Sequence, residues 1–504
     1  MDASQSLIAR LSDVKWWSEC FAKGLDIISI LSVGFLLASL YISCHMVYNL
    51  YFHPLASFPG PFWARSSLLW RIYHSSGGRF HRRIYEQHKI HGSVFRVSPN
   101  ELSFAGVNSW KAIYGHPAAG QATMIKAEFY DIYGSGFKSL CIGSERKPEK
   151  HSRMRKSLSA AFSTKALIEQ EQIINGCVDA FVDRLGDGTS DNGINMTKWF
   201  EMVAFDILGE MAFGESFGCI DSGKPHFWSE LIEEHLFFIT VVDNLRRYPF
   251  FVTLGRWILP LTASLRDKHT GLSREKVAKR LSISEPRKDF MSHLIKKVQN
   301  GEMDREELTA HASTLVIAGG ETVSTFLAAS TFYLLKNPQH LRRLQTEIRG
   351  KFRSYGDIDA TRAQQMPFLQ AVISEGLRIY PPGSRGFPRV STGGTIDGHY
   401  VPPGVDVYTS AWTVTHDEAY FKNPFTFDPE RWLDPMSEEV KEASQPFSLG
   451  TRGCLGRNLI LAKMHWRYDI ALVNETLQWE EQSREHVMWT KPELFVRFQE
   501  HMSR

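Results

Sequence analysis

Phe447-Ser448-Leu449-Gly450-Thr451-Arg452-Gly453-Cys454-Leu455-Gly456 is the stretch that decides how this chain is read. Three glycines surround one cysteine, so the backbone is free to bend and to lie close to a flat object. Amide groups in such a loop can point at the sulfur and stabilise a thiolate. Arg452 adds positive charge and suits a bidentate carboxylate partner. Residues 458 to 468 read as an apolar-rich helix, so the thiolate sits just ahead of a helix N-terminus and gains from its dipole. The alternative is a buried structural cysteine in a glycine-rich turn, the commoner fate of a lone cysteine. The other cysteines, at 20, 44, 141, 177 and 219, form no CxxC pair, so the common zinc and redox spacings are absent. Six cysteines in 504 residues suit a reducing compartment better than a disulfide framework.

Upstream, Asp304 with Glu307 three residues later predicts a helix N-cap and its capping partner. An apolar run continues to Lys336, just before Asn337-Pro338. Within it lies Ala318-Gly319-Gly320-Glu321-Thr322. Each glycine costs about 1 kcal/mol relative to alanine in a helix interior. Two in succession need a reason, either close approach of another helix or close approach of a ligand. The glycines alone do not choose between them. Residues 145 to 380 mostly show apolar positions at three- and four-residue spacing and read as helix. Residues 385 to 414 carry Gly393-Gly394, Gly398 and Pro402-Pro403-Gly404 between short β-branched runs and read as hairpins. Residues 93 to 104 alternate like a strand pair. The expected fold is mainly α with a minor β part. With 43% hydrophobic and 22% charged residues, wholesale disorder is excluded. The balance of 58 basic and 55 acidic side chains lacks the basic domain of a nucleic-acid binder, so no nucleic-acid partner is expected. Length alone predicts about three domains.

Residues 27 to 44 (IISILSVGFLLASLYISC) run 18 residues without a charge. A helix of about 20 apolar residues spans a bilayer. A buried core helix and a secretory signal are the alternatives, but a signal core is about 7–15 residues and precedes a small-residue cleavage site. Tyr48, Tyr51 and Phe52 look like an interfacial aromatic belt. The expected plan is a tail over 1–23, a transmembrane anchor over 24–50, a proline-rich hinge over 51–61 with Pro54, Pro59 and Pro61, and a catalytic body over 62–504. Arg65, Arg71, Arg79, Arg82, Arg83 and Lys89 follow the anchor, against Arg10, Lys15 and Lys23 before it. That bias favours a cytosolic body. No second stretch of comparable apolar length follows, so a single span is expected.

Phe447, Gly450, Arg452, Cys454 and Gly456 fit the pattern FxxGxRxCxG, and by it the chain resembles the cytochrome P450 superfamily of haem-thiolate monooxygenases. Other segments extend the resemblance. Glu375-Gly376-Leu377-Arg378 is similar to the family's ExxR helix, with Glu375 and Arg378 on one face. Phe427-Asp428-Pro429-Glu430-Arg431-Trp432 resembles the segment whose arginine, here Arg431, completes a charge network with that pair. An ExxR alone is a solvated ion pair worth under about 1 kcal/mol. Within a buried network, losing one member costs about 3–5 kcal/mol. Residues 318 to 322 resemble the family's oxygen-activation motif, which favours ligand approach as the reason for Gly319 and Gly320. His151 and Arg155, four apart, resemble the propionate-binding helix, where a tryptophan is common in place of His151. A solvated surface site is the other reading of His151. Arg389, in Phe387-Pro388-Arg389-Val390, looks like a further propionate contact.

The resemblance implies one compact haem domain in place of three. It implies iron protoporphyrin IX with Cys454 as thiolate axial ligand. Thr322 and Glu321 are then the catalytic pair, Thr322 holding oxygen or water by hydrogen bond and Glu321 passing protons from solvent. Residues 114 to 132 and 231 to 265 resemble the substrate-covering loops. Their aromatic density suits a lipophilic small molecule, and equally plain core packing or contact with lipid. Only 50 residues follow Cys454 and no Rossmann glycine fingerprint is present, so electrons are expected from a separate NADPH-dependent cytochrome P450 reductase, with cytochrome b5 as a further donor. Arg146, Lys147, Lys150, Arg153 and Lys156 form a basic cluster suited to an acidic partner or to a solvated helix face. The hinge and residues 205 to 218 resemble fungal members, which often serve secondary-metabolite pathways. The expectation is an endoplasmic reticulum enzyme, single-pass with a cytosolic body, that hydroxylates or otherwise oxidises a lipophilic metabolite. A haem-thiolate catalyst of ring rearrangement or desaturation and a non-catalytic membrane haem sensor are the alternatives.

Overall fold

The computed structural model describes residues 14–117, 122–134, 136–186, 192–248, 250, 253, 263–283, 287–434, 438–449 and 459–501. Along the chain the helices that position the site are α1 (Val14–Val47), α2 (Leu69–Ser76), α3 (Phe80–His91), α4 (Val107–Tyr114), α5 (Pro148–Ser159), α6 (Met196–Phe213), α7 (Phe227–Leu245), α8 (Arg305–Lys336), α9 (Pro367–Ile379) and α10 (Ile460–Arg467). The strands are β1 (Val94–Ser98), β2 (Glu101–Phe104), β3 (Ile125–Lys126), β4 (Ile194–Asn195), β5 (Arg389–Val390), β6 (Gly394–Ile396), β7 (His399–Val401), β8 (Asp406–Thr409), β9 (Tyr468–Leu472), β10 (Arg484–His486), β11 (Met488–Thr490) and β12 (Phe495–Glu500). Helix dominates and the sheets are small, as the periodicity predicts.

The apolar stretch Ile28–Phe52 is helical, and apart from its last turn its side chains are mostly exposed and find little in the body to pack against. Its last turn widens, with His53 N–H bonding Tyr48 O at 2.9 Å. His53 then turns extended, as a residue before proline must. Asn49 already belongs to the body, since Arg96 from β1 donates to its carbonyl at 2.7 Å.

Two predicted strand regions form. β1 and β2 pair antiparallel, Val94 opposite Phe104, and β2 runs parallel to β8. β5 and β3 complete a five-stranded sheet in the order β1-β2-β8-β5-β3. β6 and β7 form the expected hairpin, but residues 411 to 415 wind into a short helix capped by the Ser410 side chain. Sequence reading missed the C-terminal sheet, β4-β12-β9, and the β10–β11 hairpin.

α8 is the axis of the helical part. It packs on α6 and α9, and about two-thirds of its residues are buried. It starts where expected: Asp304 accepts from Glu306 N. The reciprocal bond from Glu307 is replaced by contacts of its carboxylate with His311 at 3.7 Å and Arg153 at 3.5 Å. Although long and apolar enough to cross a bilayer, α8 is two-thirds enclosed and is a core helix.

Candidate active site

In its middle, α8 opens most at Ala318. Ala318 is exposed in mid-helix, and Thr314 and Thr322, one turn to either side, are half-buried. Residues four apart share a helix face, so this stripe is left uncovered by packed side chains. Thr322 Oγ1 donates to Ala318 O at 2.7 Å, which commits its proton to the helix and leaves its lone pairs free to accept. The glycines face elsewhere. A Cβ on Gly319 would stand 2.9 Å from Leu208, and one on Gly320 would stand 3.0 Å from Phe205. Both neighbours lie on α6. A side chain at either glycine would press on α6, so close helix packing is one reason for the pair.

Glu321 leaves the helix about 100° from Thr322, as 3.6 residues per turn requires. It is buried, with Oε2 at 3.2 Å from Lys491 Nζ, while Oε1 has no hydrogen-bond partner. Burial pushes its carboxyl above the usual range, Lys491 opposes this, and the charge of Glu201 adds to it.

Arg389 lies in β5 between β8 and β3, buried, with its guanidinium 5.4 Å from the ring centres of both Tyr114 and Tyr130. Its Nη1 has no hydrogen-bond partner, nor has the buried indole nitrogen of Trp110, whose ring stands 5.3 Å from that of Tyr114. Two buried donors left unspent around one tyrosine are costly unless an acceptor is bound there. His151 and Arg155 sit one turn apart on α5, the first buried and the second half-buried. The surface alternative for His151 is thereby removed. Phe447 packs against the main core. Gly450, Arg452, Cys454 and Gly456 lie outside the described residues, and α10 begins at Ile460, directly after them.

Glu375 and Arg378 are both fully buried. Arg378 binds Glu375 through Nε at 2.7 Å and Nη2 at 2.8 Å, and its Nη1 donates to Thr415 O and Pro424 O. Arg431 Nε reaches Glu375 Oε1 at 3.3 Å. Two further donors went unread in the sequence: Asp428 N–H and the Trp432 indole, each 2.9 Å from the Glu375 carboxylate. Trp432 directly follows Arg431, which was the available signal.

A second buried charge cluster left no motif. Arg71 on α2 bonds Glu101 of β2 at 2.7 Å and Asp243 of α7 at 2.6 Å, and Arg247 bonds Asp406 of β8 at 3.1 Å. It ties the end of α7 to the sheet. Burial pushes Asp406 up to about 6 despite Arg247. Burial works the same way on Glu101 and Asp243, but Arg71 and Arg247 outweigh it and hold both below the carboxylate range. Of the basic cluster, Arg146 is spent on Asp131 at 2.9 Å.

A family model described as Cytochrome P450 matches residues 57–500. The chain belongs to the cytochrome P450 family. Cytochrome P450 monooxygenase ORF9 of Penicillium roqueforti is 60% identical over 462 residues, covering 90% of this chain and 91% of the relative. Cytochrome P450 monooxygenase BOT4 of Botryotinia fuckeliana is 53% identical over 460 residues, covering 90% and 88%. Cytochrome P450 monooxygenase BOA3 of the same species is 37% identical over 487 residues, covering 92% and 96%. This cytochrome P450 is an oxygen-incorporating oxidoreductase whose cofactor is haem with a cysteine thiolate ligand. The residues present fit that group: unspent buried donors on Arg389 and Trp110 suit carboxylate acceptors, and the stripe at Ala318 and Thr322 is left uncovered. Among the described residues no cluster of three or more His, Cys, Asp or Glu could hold a metal ion by itself.

Proposed function

We propose that this cytochrome P450 hydroxylates or otherwise oxidises a lipophilic small molecule of fungal secondary metabolism, using molecular oxygen and electrons from an NADPH-dependent cytochrome P450 reductase, with cytochrome b5 as a further donor. The observation that carries the proposal is the uncovered stripe at Ala318 and Thr322 on a largely buried helix. Cys454 would hold the haem iron through its thiolate, and Phe447, Gly450, Arg452 and Gly456 complete the motif around it. Arg389, His151, Arg155 and Arg452 bind the carboxylates of the group. Held there, haem would supply the oxygen-activating chemistry by which one oxygen atom enters a substrate C–H bond. Thr322, its own proton committed to Ala318 O, accepts a hydrogen bond on the open side and so holds a water or hydroxyl there. Glu321 stores a proton in the buried interior. Glu375, Arg378 and Arg431 hold α9 to the segment leading to the cysteine loop.

The body over 62–504 is carried on the endoplasmic reticulum membrane by one anchor over 24–50, with a hinge over 51–61, and faces the cytosol. An apolar helix near the N-terminus and the basic residues after it support this. The test is to incubate microsomes holding this chain and a reductase with lipophilic scaffolds under isotopically labelled oxygen. Product carrying one labelled atom is expected. A rearranged or desaturated product without label would replace this reading with the alternative chemistry.

A further inference from the structure

Glu321 stands in a motif that the sequence singles out, yet nothing in the motif says what its carboxylate meets. Lys491 Nζ lies between two carboxylates, 3.2 Å from Glu321 Oε2 and 3.0 Å from Glu201 Oε1. The lysine comes from the segment joining β11 to β12 and Glu201 from α6, so three separate elements meet at this point. Exposure is graded along the chain of contacts: 12% for the Glu201 side chain, 0% for Lys491 and 1% for Glu321. Two carboxylates around one ammonium carry a charge too many for a buried cluster. The low-energy state is one in which a proton is shared among them.

We propose that Glu201, Lys491 and Glu321 form a proton-loading chain from the protein surface to the central helix, with Lys491 as the positioning residue that holds and recharges Glu321. The proposal rests on Glu321 and Thr322 serving the oxygen site as described above. The steps balance in protons and move no electrons. Glu321 releases its carboxylic proton toward the site and becomes a carboxylate. The Lys491 ammonium gives it one N–H proton and becomes a neutral amine. The Glu201 carboxylate takes a proton from water at the surface, passes it to the Lys491 amine and returns to a carboxylate. One solvent proton thus enters for each one released.

A structural counter-ion would make the same contacts, and Lys491→Arg separates the two roles. Arginine keeps the positive charge but does not give up a proton in a protein. The experiment uses the full-length holoenzyme and follows the infrared carbonyl band of the buried protonated carboxyl, identified by its loss in Glu321→Gln. After mixing with heavy water, deuteration of that band is expected to slow about tenfold or more in both Lys491→Arg and Glu201→Gln, because a positioned proton donor contributes at least about 100-fold to transfer. Peroxide released per NADPH oxidised with the reductase should rise in the same variants. Exchange at the native rate in Lys491→Arg and Glu201→Gln would overturn the proposal. Should Lys491→Arg not fold, Glu201→Gln carries the exchange test alone, since its side chain reaches the surface. Thr322→Ala separates the two levels of the reading. If it raises peroxide release while Lys491→Arg changes neither readout, only the loading chain fails. If Thr322→Ala leaves peroxide release unchanged, the site reading beneath it fails.

Discussion

Cutting the chain before residue 45 and cutting it before residue 51 should give different proteins. Both cuts remove the unburied apolar helix, so both should release the body from membranes. The difference lies in Asn49. Arg96 is fully buried in β1, and its Nη1 donates to Asn49 O at 2.7 Å and to Leu55 O at 3.4 Å. The Asn49 side chain in turn donates to Ser66 O at 2.9 Å. Removing residues 1–50 deletes the good acceptor of a buried guanidinium and the donor to a neighbouring carbonyl. Each group left unpaired costs about 1–3 kcal/mol, so the pair costs about 2–6 kcal/mol. An unfolding entropy of about 2.1 cal/mol/K per residue over about 450 residues turns that into a Tm lower by about 2–6 °C. Removing residues 1–44 keeps His45, which contacts the Asn49 amide at 2.8 Å, and leaves this set intact.

The assay is membrane sedimentation after an alkaline wash, followed by thermal unfolding of both soluble forms and of the detergent-solubilised full chain. The shorter truncation should match the full chain, and the longer one should unfold earlier while still binding haem. Equal Tm values for the two truncations would refute the role given to Asn49. A 1–44 truncation that still sediments with membranes would refute the single-anchor reading.

Cys454→Ala should abolish the red-shifted carbon-monoxide band of the reduced haem protein, and survival of that band in difference spectra would remove the ligand assignment. Arg378→Met leaves Glu375 buried with only Arg431 as counter-charge and strands Thr415 O and Pro424 O; it should destabilise by about 3–5 kcal/mol in denaturant unfolding. A loss below about 1 kcal/mol would mean a solvated pair. Asp406 has its carboxyl raised from 3.8 to about 6 by burial, against Arg247, with Glu101 and Asp243 adding to the rise. The folded state therefore holds this proton more tightly, so the stability it contributes is full below pH 3.8 and is lost as pH rises through about 6. Asp406→Asn should remove that part of the pH dependence, and unfolding curves across this range with unchanged slope would show that the group does not titrate there.

What the sequence disclosed was what short-range pattern encodes. The N-cap at Asp304, the stop before Pro338 and the β1–β2 pair at residues 93 to 104 depend on neighbours a few residues away, and all three formed. Glu375 with Arg378 needs only helix spacing. The same logic explains the failures. β12 is held by β9 and β4, and neither partner leaves a mark within its own six residues. The Arg71 cluster joins residues more than 170 positions apart, and Lys491 is 170 positions from Glu321. A lone lysine between an apolar strand and a proline carries no spacing to read. The stretch 385 to 414 reads as hairpins for its turns and β-branched runs, but at its end Ser410 accepts from Thr413 N and the local cap wins.

Gly319 and Gly320 call for a close neighbour, a helix or a ligand, and α6 supplies the first. On a helix, adjacent residues point about 100° apart, so a five-residue motif must address more than one side of the cylinder. Here Ala318 and Thr322 face the uncovered stripe, Gly319 and Gly320 let α6 approach, and Glu321 meets Lys491. These roles depend on one another: the close approach of α6 that the glycines permit is what brings Glu201, on the same helix as Leu208 and Phe205, to within 3.0 Å of the lysine that holds Glu321. Packing on one side of the axis thus sets the electrostatics on another, and both fix where Thr322 stands on the third.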